Sequence, residues 1–179
     1  MNYNLSAEDL NALNEIKLRV EDNSKQIDEI IEHIIHPYIK DLDRYVSFVR
    51  DCLKDGEKPP TVSELEDFCM NLSTLIYFAS GMCENLGVRD DIAKAVYKEQ
   101  YHASRSSLEK GTVADKDSLA ELNSRQEQIV SICFTRAYKT LKSKIDAAQE
   151  LLASAKKVLS NRITEMELTK LSNNTQSQF

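Results

Sequence analysis

The chain has 179 residues, of which 41% are hydrophobic and 29% charged, with a formal net charge of −6. That length suits one domain with a sizeable core, and the composition is too apolar for a chain disordered throughout. No apolar run approaches the ~20 residues that cross a bilayer. With four glycines and three prolines, turn residues are also too scarce for a sheet protein.

The first residues, MNYNLSAEDLNALNEI, lack the basic and apolar segments of a secretory leader. Cytoplasmic residence is therefore expected, in the host cytoplasm if a phage encodes the chain. Cys52, Cys69, Cys83 and Cys133 form no C-x-x-C pair, so they read as free thiols in a reducing compartment. A structural zinc site needs closer ligand spacing.

Ser6 and Asp9 stand at capping-box spacing and predict a first helix carrying Leu10, Leu13, Ile16 or Leu18, and Val20, with a weak break at EDNS. The next stripe runs Ile27, Ile31, Ile34/Ile35, Tyr38, Leu42, Tyr45/Val46, Val49 and Leu53. Its steps of three and four residues mark one helix face. Pro37 lies inside the stripe. Either one kinked helix or two helices meeting at residue 36 would satisfy the pattern. KDGEKPP reads as a loop.

Thr61 and Glu64 form a second capping box, opening a helix with a stripe from Val62 through Leu65, Leu72 and Ile76 to Cys83. Gly87 is placed as the residue that ends it. DDIAKAVYKEQYHASRSSLEK predicts a further helix, with acids in its first turn and Lys110 at its end, as the helix dipole prefers. Gly111 stops it. Thr112 and Asp115 then repeat the capping box, which predicts an αα-hairpin at residues 110–113.

From Ala114 to about Lys170 there is no glycine or proline. An apolar stripe from Leu122 to Met166 averages near 3.67 residues per step, which favours one straight or slightly right-handed long helix. Its apolar side outruns what the other helices can cover. Leu141, Ile145, Leu152, Leu159 and Ile163 therefore read as an oligomer seam, and a homo-oligomer is expected. The fold class is all-α: an antiparallel bundle of four to five helices with one long C-terminal helix. Residues 1–171 form a single helical domain, with acidic N-terminal helices at 6–87 and the hairpin plus long helix at 90–170. Residues 172–179 form a disordered tail.

Chemistry-bearing motifs are scarce. Glu99 and His102 make the one E-x-x-H pair, where a di-iron bundle needs two. His33 and His36 share a face with Glu29, but Pro37 disturbs it. No phosphate-binding loop, dinucleotide fingerprint, nucleophile elbow or H-E-x-x-H occurs. No enzyme activity, metal or cofactor is expected.

The charge is uneven. From Arg125 onward the balance is +4, and before it −10. Arg136, Lys139, Lys142, Lys144, Lys156, Lys157 and Arg162 lie in 27 residues holding two acids, with Tyr138 interleaved. Such a set can track a phosphate backbone with Tyr138 stacking on a base. At 100° per residue the charges also fan widely, as a solvated helix face does.

VYKEQYHASRSSLEKGTVADKDSLAEL followed by TRAYKTLKSKIDAAQELLASAKKVLSNRI resembles the small helical proteins of tailed phages. In layout it is similar to their UvsY-type recombination mediators, over residues 90–166. The resemblance implies a non-enzymatic helical oligomer that binds single-stranded DNA and helps load a RecA-like recombinase. Arg136, Tyr138, Lys139, Lys142, Lys144 and Arg162 are its matching positions. The acidic front half supports an alternative: a protein-only interaction module, such as an assembly factor, a virion component or an acidic inhibitor of a host defence protein.

Overall fold

The computed structural model describes the backbone of residues 7–54, 56, 58–107 and 111–176, with side chains over 11–54, 56, 58–107 and 111–171. Every regular element among them is a helix: α1 Ala7–Lys54, α2 Val62–Ser107, α3 Val113–Asn123 and α4 Arg125–Gln176. None is long and apolar enough to cross a membrane.

Two helix starts follow from the capping chemistry. The Glu64 carboxylate accepts from the Thr61 backbone N–H and hydroxyl, both at 2.8 Å, and the Glu64 N–H donates back to Thr61 Oγ1. Thr112 and Asp115 repeat the exchange at α3. Gly111, at φ +129°, supplies a backbone angle that a side-chain-bearing residue adopts only under strain. Ser6 and Lys110, the first residue of the expected turn at 110–113, lie outside the described residues.

Four boundaries differ from expectation. Helix α1 continues through the expected weak break at EDNS, and at Pro37 it takes the one-helix alternative of the two the sequence leaves open. Helix α2 continues through Gly87. That glycine is a place of close approach: a methyl group there would come 3.3 Å from Tyr138 Cε2 of α4. The expected continuous helix from Ala114 breaks at Ser124, a buried residue with φ −104° and ψ 12°. Its hydroxyl and its N–H both donate to the Ala120 carbonyl, at 2.7 and 3.0 Å, and a serine bonded back in this way bends a helix. At the other end α4 extends to Gln176, so the tail expected from residue 172 begins as helix.

The chain packs as two compact units: Met1–His36 with Ile92–Ala137, and Pro37–Asp91 with Tyr138–Phe179. In the first, the interior is made mostly of small side chains, Ala93, Ser104, Ala120, Ser124, Ser131, Cys133 and Ala137, with Ile31 and Ile35. Helix α3 is tied to α2 at Asp117. It accepts from the Tyr101 hydroxyl at 3.2 Å and pairs with Arg105 Nε at 2.7 Å. Burial, then that bond to a carboxylate, raises the Tyr101 phenol above its ordinary pKa.

In the second unit α1, α2 and α4 pack together around Ile39, Leu42, Val49, Leu65, Leu72, Leu86 and Leu141. Arg89 donates to the Tyr38 hydroxyl and Asn71 donates to the Tyr45 hydroxyl, so α1 and α2 run antiparallel here. Lys144 of α4 pairs with Asp43 of α1. Each unit holds one buried free thiol, Cys133 in the first and Cys83 in the second, while Cys52 and Cys69 are half-buried. Burial raises the pKa of Cys69, Cys83 and Cys133, which keeps the unreactive thiol form.

Candidate functional site

The basic positions of α4 meet different surroundings. Arg136 belongs to the first unit and is exposed; the rest lie in the second. Lys139, Lys156 and Lys157 are exposed. Lys142 is exposed but shares a cleft of about 170 Å³ with Glu84 and Asp146, which weaken its field. Lys144 is half-buried and held by the Asp43 carboxylate at 2.5 Å. Arg162 is paired with Glu165 at 3.4 Å. Tyr138 is half-buried, with its ring edge against Gly87. Within the second unit, then, Lys139, Lys156 and Lys157 keep a cation clear for a phosphate. Lys144 and Arg162 would have to give up carboxylate partners first.

The seam positions divide as well. Leu141 and Ile145 are buried at 0% and 5% exposure, and both serve the core. Leu152 and Leu159 are half-buried, and Ile163 is 39% exposed. Along α4 the stripe is covered as far as Ala155 and open from Ile163, with Met166, Leu168 and Leu171 exposed beyond it. The open end borders a groove of about 780 Å³ lined by Pro59, Pro60 and Val62 on one side and by Arg162, Met166 and Lys170 on the other. Nothing in the sequence periodicity marks this groove, because it joins a loop to a helix end.

A second surface lies on α2. Residues 68–83, FCMNLSTLIYFASGMC, contain no charged side chain. Phe68, Leu72, Ile76, Ala79 and Cys83 face the core, yet Met70 (71% exposed), Tyr77 (76%), Phe78 and Met82 face outward. Tyr77 and Phe78 meet edge-on with ring centroids 5.6 Å apart. A helix ordinarily turns its apolar side chains toward the core, and here aromatic and methionine side chains also stand on the exposed side, among the polar Asn71, Ser73 and Thr74. The signal was present in the sequence as the long uncharged run.

Among the described residues no group of three or more His, Cys, Asp or Glu side chains is arranged to hold a metal ion. Glu127 of α4 has one carboxylate oxygen buried without a hydrogen-bond partner there.

These features define an all-α protein with bare apolar helix faces and scattered cations. Comparison with protein-family models, with curated proteins and with solved structures finds no match to this chain.

Proposed function

We propose that the chain is a non-enzymatic interaction module that engages a partner protein through α2. The carrying observation is the bare, charge-free face of Met70, Tyr77, Phe78 and Met82. Aromatic and methionine side chains on a neutral helix face are the composition of interface centres. The partner would offer an apolar groove able to take this helix face. Because the four side chains are exposed, replacing them spares the core. The test compares the parent with Met70→Ser/Tyr77→Ser/Phe78→Ser in pull-downs after nuclease treatment, with circular dichroism to show that the fold is kept. Loss of one defined protein in the variant supports the reading. Equal recovery by both, or recovery of nucleic acid alone, overturns it.

A second reading, the phage recombination mediator, is favoured by Lys139, Lys156 and Lys157, whose ammonium groups are exposed on α4. In it an oligomer holds single-stranded DNA and a recombinase, with a hairpin at 110–113 folding α3 back along α2. Backbone binding releases counterions, so retention of single-stranded DNA on filters should fall steeply with salt. No retention at low salt refutes it.

A further inference from the structure

Every side chain from residue 11 to residue 26 of α1 is exposed. Among the described residues this stretch has no cover, and a lone helix of that length is marginal in water. Yet its apolar residues are ordered. Leu13, Ile16, Val20, Asn23, Ile27, Ile30 and Ile34 follow steps of three and four without a slip, the heptad spacing of a coiled coil. Leu13, Ile16, Val20 and Ile30 are exposed, and Ile27 and Ile34 half-buried. The neighbouring Ile31 and Ile35 turn into the unit's own core. Helix α1 therefore has two apolar faces here, and one is used.

We infer that this heptad strip is the site at which copies of this chain associate, their α1 helices parallel and in register. The occupant follows from the residues on the strip. Asn23 is its one polar core position. In a parallel, in-register pairing Asn23 meets Asn23 of the other copy, and the two amides bond each other. In an antiparallel pairing it meets Leu13, Val20 or Ile27, and a buried amide is left without a partner. The flanking charges agree. Parallel strands place Arg19 beside Ser24 of the other copy and Lys17 beside Ala12, with no like-charge contact. Antiparallel strands bring the Arg19 flanks together. Lys17 is also paired on its own helix with Glu21 at 3.8 Å, which lowers its cost at a shared surface.

Residues 13–34 extend ~33 Å at ~1.5 Å per residue. A strip one side chain wide and that long covers less than the ~800 Å² per partner of a standard interface. The association is thus concentration-dependent rather than permanent. It is independent of the α2 partner surface and of the nucleic-acid reading.

The test is mass in solution by light scattering over a concentration series of the full chain. The parent is expected to rise above one chain's mass, and Leu13→Asp/Ile16→Asp/Val20→Asp to stay at one chain while still unfolding cooperatively, with a Tm that no longer depends on concentration. A parent that stays at one chain throughout, or a variant that associates like it, overturns the inference. Register is read separately. Leu13→Cys, oxidised with glutathione disulfide, should cross-link to its own copy at that position, because Leu13 is far from the strip's centre and meets itself only in the parallel arrangement. Association without that cross-link overturns the parallel register.

Discussion

Truncating Leu141 to alanine separates a core role from a seam role. The side chain is fully buried, so the change removes three carbons from the interior and leaves a hole. Lost transfer at ~0.8 kcal/mol per buried carbon gives about 2.4 kcal/mol, and a partly collapsed cavity adds to it. A total of about 3 kcal/mol lies inside the ~2–5 kcal/mol range for such truncations. For a chain of this size that corresponds to a fall in Tm of about 6–12 °C. Differential scanning calorimetry measures it, and light scattering on the same samples records the mass. The expected result is a lower Tm with the mass distribution of the parent. A change in mass with Tm within ~1 °C would place Leu141 at an intermolecular contact and refute the packing argument.

Two further substitutions probe local causes. Gly87→Leu should cost about 1–3 kcal/mol of unfolding free energy in denaturant titration, because any longer side chain must displace the Tyr138 ring; a neutral effect would show that the close approach is not enforced. Thr112→Ala should move the Asp115 carboxyl back up toward its ordinary pKa, read by NMR titration. The hydrogen bonds from the Thr112 hydroxyl and N–H favour the charged carboxylate and hold its pKa down. Their stabilisation is present above the ordinary carboxylate range and is lost as pH falls through the lowered pKa. An unshifted titration in the variant would remove the capping explanation.

The helix content and two helix starts were legible because they rest on local chemistry. Thr61 with Glu64, and Thr112 with Asp115, need four residues of sequence to be recognised, and both boxes form. The errors arose where the cause lies elsewhere in the chain. Gly87 carries the sequence mark of a helix stop, but what requires it is Tyr138 on another helix. Ser124 interrupts a stripe that reads as continuous, because its hydroxyl turns back on the Ala120 carbonyl. Ser124 with Glu127 does show capping-box spacing, a hint that the long period concealed. For the candidate site, the cations on α4 were readable as residue types. Which of them face carboxylates was not, since Asp43 meets Lys144 from a distant part of the sequence.

Cys133 and Cys83 sit shielded, one in each packing unit, and neither is needed for a disulfide. A thiol reagent can reach such a sulfur only when the helices around it part. The rate at which each is modified therefore clocks the breathing of its own unit. The two packing units carry separate intrinsic stopwatches, readable by mass spectrometry of the modified thiols without an engineered reporter site.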